Sequence, residues 1–257
     1  GPCEHRPTRP DHQVNRWYIA PGSNNFNLGI NTDRRRAVSF NVNTNGNREK
    51  ETGVVRYGFG GGVTMRPSPQ LDLSLQPSVS WNEHDWQYVA APTAATGHRE
   101  YIVAHLDQTT VSLTTRMNYT VTPTLSVQLY AQPFLSAGSY DSFRRVASPR
   151  ARAFDERFHT FAGDEISYDV DGRRYTARIG ADSVRFDNPD FNVRSLRSNA
   201  VLRWEYRPGS TLFVVWSHGR AERTRSGEFD FGRGVRDLRD ASGTNVVMLK
   251  LNYWLDL

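Results

Sequence analysis

His84 beside Asp85, and Ser217 beside His218, hold the parts of a hydrolytic centre. A carboxylate can orient an imidazole, and an imidazole can take a proton from a hydroxyl or a water. Adjacent residues on a strand point to opposite faces, so neither pair forms a dyad by itself. A rim hydrolase built on them stands only as a second alternative. Asp164, Glu165, Asp169 and Asp171 supply hard oxygen ligands of the kind calcium takes, but the full EF-hand spacing is missing and acids in turns are the simpler reading. His84, His98, His105, His159 and His218 form no helical HExxH pair and read as surface histidines. No catalytic residue, metal or cofactor is expected. Trp86, Tyr88, Tyr101, Tyr140, Phe143, Phe154, Phe158 and Phe161 crowd the polar connecting segments. There they either stack on a glycan or a partner protein or pack on one another.

The widest set of polar groups is periodic. Arg56, Asp72, Gln76, Arg116, Asn118, Gln128, Arg203, Glu205 and Lys250 recur on one row of alternating segments. The opposite row carries Leu71, Leu73, Leu75, Leu113, Met117, Leu125, Val127, Leu129, Leu202, Leu249 and Leu251. Alternation of period two is the mark of a strand with one apolar and one polar face. The clearest case is the hairpin of Val111–Val121 and Leu125–Leu135 around Thr122, Pro123 and Thr124. Each arm has about 11 residues, the length a tilted strand needs to cross a bilayer. The first row then lines a lumen and the second faces lipid. In a narrow barrel the lumen row reads as a salt-bridged filling rather than an open path.

Composition agrees with such a wall without requiring it. Hydrophobic residues make up 37% of the 257 positions, and the mean hydropathy is −0.63. No apolar run approaches the ~18 residues of a membrane helix, while a barrel wall is apolar only at alternate positions. The single cysteine, Cys3, excludes an internal disulfide. The net charge of +5 is almost all arginine, dispersed beside acids as in Arg236, Asp237, Arg239 and Asp240. That pattern reads as a salt-bridged surface rather than a nucleic-acid face.

Residues 1–12 read as an irregular lead-in and 13–257 as one β domain. Connections at 32–35, 67–70, 122–124 and 207–210 are short, and those near 44–52, 83–105, 139–190 and 219–243 are long. Asn45–Gly46 marks one of the long-side reversals. Within 139–190, Asp171–Gly172 turns a small hairpin of its own. Strict alternation of short and long connections is the habit of bacterial outer-membrane barrels, with short periplasmic turns and long external loops. Tyr119, Tyr206 and Tyr253 fall near the short-turn rim, and Trp81 and Trp216 near the other, as aromatic girdles require.

Four phrases also resemble a known family. They are Asn118-Tyr119-Thr120-Val121-Thr122-Pro123, Leu129-Tyr130-Ala131-Gln132-Pro133-Phe134, the run Ser195–Tyr206, and Leu249-Lys250-Leu251-Asn252-Tyr253-Trp254. Together they are similar to the C-terminal region of a bacterial family of unknown function. In that family a sandwich like the family 9 carbohydrate-binding modules precedes an outer-membrane barrel. The resemblance implies that this chain is the last part of a longer protein, and it brings no catalytic residues.

The expectation is an all-β, antiparallel, up-and-down transmembrane β-barrel of about nine or ten strands, alone or as part of a larger barrel. It is non-enzymatic and lies in a bacterial outer membrane. Its partners are outer-membrane lipid, a larger protein or complex, and a glycan ligand. Its loops bind a ligand or its lumen passes a solute. The alternative is a soluble β-barrel or sandwich that turns the apolar row inward and binds a small ligand or glycan.

Overall fold

The computed structural model describes residues 22–50 and 52–255. The expected lead-in at 1–12 lies outside them, as does Cys3. The chain is predominantly antiparallel β. Its main sheet has ten strands. Those in the meander are β1 (Ser23–Asn31), β2 (Val38–Glu49), β3 (Val55–Ser68), β4 (Leu71–Ala90), β5 (Ile102–Thr122), β6 (Leu125–Val146), β11 (Phe191–Arg207), β12 (Ser210–Thr224) and β13 (Gly243–Asn252). Each pairs with its neighbour in that order, and a short β7 (Phe158–Thr160) pairs with β6. Between β7 and β11 lie β8 (Ile166–Asp169), β9 (Arg174–Ile179) and β10 (Asp182–Asp187), which form a separate three-stranded sheet. One helix, α1 (Phe231–Asp240), lies between β12 and β13.

The up-and-down order is the expected one, but closure is not. Among the described residues β1 and β13 have no partner on their outer sides, so the sheet does not close into a barrel. The connections at 69–70, 123–124 and 208–209 are turns of two residues and those at 91–101, 147–190 and 225–242 are long, but the expected strict alternation fails at the N-terminal end, where the connection at 32–37 has six residues and that at 50–54 has five. The longer ones are shorter than the sequence suggests, because the strands run on past the apolar rows. β4, β5 and β6 have 20, 21 and 22 residues. Asn45–Gly46 is not a turn: both residues lie inside β2, with Gly46 opposite Phe26. A Cβ at Gly46 would collide with the Phe26 ring, so the glycine serves close approach rather than reversal.

Register explains how alternation in single strands becomes two faces. Leu73 pairs with Met117, Met117 with Leu129, and Leu129 with Ala200. Val127 pairs with Leu202, Leu202 with Val214, and Val214 with Leu249. On the other side of the hairpin Leu75 pairs with Val63, Val63 with Phe40, and Ile30 with Val42. Directly opposite residues share a face, so one apolar face runs from β1 to β13. Apart from α1 at one end, no other element among the described residues packs extensively on it. On the outer strands Leu28, Ile30, Leu249 and Leu251 are 66, 75, 69 and 64% exposed, while Leu73, Leu113, Val127 and Leu129 on the central strands are half-buried.

The buried core lies elsewhere. Ile102, Ala104 and Phe143 from the tall ends of β5 and β6 join Ala94, Phe161, Ala177, Val184 and Phe186. Ile102, Ala104 and Leu106 continue the β5 row that carries Gln108 and Thr110 lower down. The small sheet is therefore a cap packed on the polar side of the wall, beyond the apolar band. Rings of Tyr175 and Phe186 lie 4.5 and 5.4 Å from that of Phe143.

Candidate functional site

The polar face of the main sheet is where chemistry-bearing groups converge. Asp72 pairs with Asn118, Asn118 with Gln128, and Gln76 with Thr114. Arg56 pairs with Asn82, Arg116 with Tyr130, and Arg203 with Phe213, which in turn pairs with Lys250. Glu205 shares the Arg203 row and lies 3.6 Å from its guanidinium. All the polar residues singled out in the sequence thus share one face. All the leucines, Val127 and Met117 share the other.

Toward the long-connection rim the polar face is a lattice of cross-strand hydrogen bonds. Arg56 Nε donates to Asn82 Oδ1 at 3.0 Å, Asn82 Nδ2 to Gln108 Oε1 at 3.3 Å, and Gln108 Nε2 to Ser136 Oγ at 3.1 Å. That chain spans β3 to β6. Toward the short-turn rim Arg66 and Asp72 form an ion pair at 2.7 Å, and the Arg116 guanidinium lies 5.7 Å from the centre of the Tyr130 ring. Between these zones the face is hollow. A depression of about 390 Å³ is lined by Asn31, Asn41, Asn43, Gln76, Ser78 and Thr114, with no ionisable side chain on its wall. Its floor is low because β3 presents glycines. A Cβ at Gly60 would come within 2.5 Å of the Asn43 amide oxygen, and one at Gly58 within 2.6 Å of that of Asn45. The other hollows of the sheet also open on this face.

The polar face is not uniform. Val201, Phe213, Val215 and Met248 lie on it. The apolar face also changes toward the long-connection rim, where Arg194 pairs with Glu222. Helix α1 covers this polar end. Asp237 meets Arg194 at 2.9 Å and Glu222 meets it at 3.3 Å, with the Arg194 side chain 7% exposed. Gly234 of the helix rests on Leu135. Sequence reasoning treated 219–243 as a loop and missed this helix. Its signal was Asp230, whose carboxylate accepts from Arg233 N at 2.8 Å as an N-cap, followed by buried Gly234 and Leu238 at helical spacing.

The hydrolytic candidates are rearranged. Asp85 does not meet His84. It sits in a bulge of β4 and its carboxylate lies 2.7 Å from His105 Nδ1 on β5. His84 Nδ1 instead accepts from Trp86 N. His218 Nδ1 lies 2.9 Å from Asn245 Oδ1 and its Nε2 accepts from Arg220, so Ser217 is not its partner. The Asp85–His105 pair is an orienting arrangement. No hydroxyl or thiol among the described residues is hydrogen-bonded to that imidazole.

The acids considered for calcium serve their own turns. Glu165 accepts from Ala162 N at 2.8 Å and lies 2.9 Å from His159 Nε2. Asp169 Oδ1 accepts from the backbone N–H groups of Asp171 and Gly172, while Asp164 pairs with Arg178. Among the described residues no group of three or more His, Cys, Asp or Glu is placed to hold a metal ion. Several of these aromatics pack on one another: Trp86 stacks on Phe158 at 4.1 Å and meets the edge of Phe154, with Arg144 over its face, whereas Tyr88 and Tyr101 are exposed.

The carboxylate of Asp182, the first residue of β10, ties the cap to the 91–101 connection. Asp182 accepts from Ser183 N at 2.7 Å, from Thr96 N at 3.1 Å and from Thr96 Oγ1 at 3.3 Å. These donors, Ser183 N–H first and Thr96 N–H next, hold its carboxyl below the ordinary value. A depressed pKa contributes stability above the unfolded-chain value, and that contribution is lost as pH falls through the folded value. Acidification from neutrality through and below the usual carboxylate range near ~4 is expected to release the loop. The protection of the Thr96 amide against exchange, measured relative to an unstructured amide at the same pH, should then fall. In Asp182→Asn its exchange should lack this acid-dependent step, and an unchanged pH profile in the variant refutes the assignment.

A family profile described as "Domain of unknown function (DUF5916)" matches residues 9–257. No curated protein matches the chain. Among solved structures the chain is similar to the siderophore receptor PiuA from Acinetobacter baumannii, at 10% sequence identity and a TM-score of 0.40. The match covers 88% of this chain and 44% of the receptor, so the chain spans less than half of that protein's length.

Proposed function

The chain belongs to the DUF5916 family, and from that premise we propose that it is a non-enzymatic wall segment of a bacterial outer-membrane β-barrel, with the apolar face on lipid and the polar face on the lumen. The observation that carries this reading is the uncovered apolar face. A soluble barrel or sandwich packs its apolar row into a core. Here the buried core belongs to the cap, and it contains none of the apolar wall residues between Leu71 and Val79 or between Leu125 and Leu129. Contiguous exposed apolar surface of this extent marks contact with a membrane or another protein. Lipid suits it because the strands alternate and, over the apolar band, the charged groups gather on the opposite face.

The reading carries a structural demand. In hydrocarbon every backbone N–H and C=O must be paired within the protein, so an open sheet edge is not tolerated. The edges of β1 and β13, unpaired among the described residues, must therefore be paired in the assembled protein, either with each other in a barrel of this chain alone or with further strands in a larger one. The cap then stands outside the membrane on the lumen side, where its aromatic faces and loops meet ligands or partner proteins.

Fractionation tests the reading. Exported in a Gram-negative host as the complete gene product, the protein should sediment with the outer membrane and require detergent for extraction. Recovery in the soluble periplasmic fraction, correctly folded by circular dichroism, overturns it.

A further inference from the structure

We infer that the hollow between β1 and β5 on the polar face is a binding subsite for a neutral, hydroxyl-rich solute of the oligosaccharide class. This names a ligand for the lumen proposed above, although the hollow opens on the sheet whether or not the opposite face meets lipid.

The amides of the hollow are unspent. Around it, polar side chains satisfy one another through the Arg56–Asn82–Gln108–Ser136 chain and the Arg66–Asp72 pair. Within it, the side chains of Asn31, Asn41, Asn43 and Gln76 form no hydrogen bond to any described residue. Each carries two donors and an acceptor on one flat group, and Ser78 and Ser112 add hydroxyls at 2.8 Å from each other. Groups that both donate and accept match a partner that does the same, which a sugar hydroxyl does.

Charge and polarity exclude the other classes. No ionisable side chain lines the hollow itself. Arg34 and Arg66 line the adjoining depression that shares Asn31, Asn41 and Gln76, and Arg66 is already paired with Asp72, so a charged ligand meets amides rather than a counter-charge within the hollow. An apolar ligand would strip water from several amides without replacing their hydrogen bonds. Shape favours an extended ligand. Asn41, Asn43, Asn45 and Asn47 repeat at every second residue of β2, and Gly58, Gly60 and Gly62 lie beside the first three on β3. The missing side chains leave the amides laid along the wall as a shallow track instead of being pushed into its centre.

The test uses the complete protein purified in detergent, or in buffer if it needs none. It is titrated by calorimetry with maltohexaose, cellohexaose and xylohexaose as neutral probes and with oligogalacturonate as a charged one. At least one neutral oligomer should bind saturably and more tightly than the polyanion. Asn43→Leu combined with Gln76→Leu should weaken it about tenfold by removing two sets of hydrogen bonds, with the β-sheet circular dichroism unchanged. Should the double variant misfold, Asn41→Leu and Ser78→Ala, made singly, provide the same readout. No saturable binding of any neutral probe overturns the subsite, as does equal binding of the polyanion or full affinity in folded variants. Fractionation is read separately. A soluble protein that binds the probes supports the subsite and removes the membrane reading. A membrane-embedded one that binds none does the reverse.

Discussion

Leu129→Arg is expected to block assembly of the protein in the outer membrane, while Gln128→Arg, one residue earlier, is expected to be tolerated. The two positions share a strand, a loop context and nearly the same depth, and differ in face. Leu129 pairs with Met117 and Ala200, in the middle of the apolar row. A guanidinium there faces hydrocarbon, where arginine at the midplane of a barrel wall costs about 2–4 kcal/mol. Gln128 pairs with Asn118 and Val201 on the polar face, so an arginine at that position remains in water or among amides. The charge there costs about 0.5 kcal/mol, the scale of an ordinary surface substitution. Outer-membrane yield and heat-modifiable gel mobility measure both. Equal loss in the two variants, or none in either, refutes the assignment of faces. The alternative of an inward apolar core meets the same test from the other side, since a soluble protein carrying Leu129→Arg would simply misfold in buffer.

Phe143→Ala should unfold the cap and leave the wall standing. The Phe143 side chain is 7% exposed and holds together three pieces of chain far apart in sequence. It packs on Tyr175 and Phe186 of the small sheet, and in the same cluster Ile102 and Ala177 are fully buried. Truncating a buried phenylalanine costs about 3–5 kcal/mol through lost burial and the cavity left behind. A cap with so few buried residues has little stability beyond that, because a small core leaves a thin margin. The apolar band of β6 ends near Leu135, about eight residues away, or roughly 26 Å along a strand. Limited proteolysis should therefore cut within 147–190 while the membrane-embedded remainder stays protected. A variant whose cap resists protease like the parent contradicts the cap core. A variant that loses the wall as well shows that the two fold as one unit.

The asparagine track depends on neighbouring strands in a way that single-strand patterns do not reveal. Asn41, Asn43 and Asn45 are unremarkable polar alternations on β2, and Gly58, Gly60 and Gly62 look like weak points on β3. Paired, they explain each other: Asn45 stands opposite Gly58, Asn43 opposite Gly60 and Asn41 opposite Gly62. The amides occupy the room that absent side chains leave.

By itself the sequence determined the long strands of the meander, their two faces and the tight turns at 69–70, 123–124 and 208–209. Each is a local property: side chains alternate every residue along a strand, and a turn needs only its own few residues. The two rows, from Leu71 and Asp72 to Leu251 and Lys250, were legible for that reason. The tertiary structure alone decided which row lines a hollow, because register across strands combines many turns and bulges. It decided that Asp85 meets His105 rather than His84, since a bulge in β4 turns the carboxylate toward a residue 20 positions away. It also decided that α1 lies over the Arg194 end of the apolar face and that the small sheet packs on the other side. These depend on contacts between segments distant in sequence, whose closure entropy and packing no local pattern records.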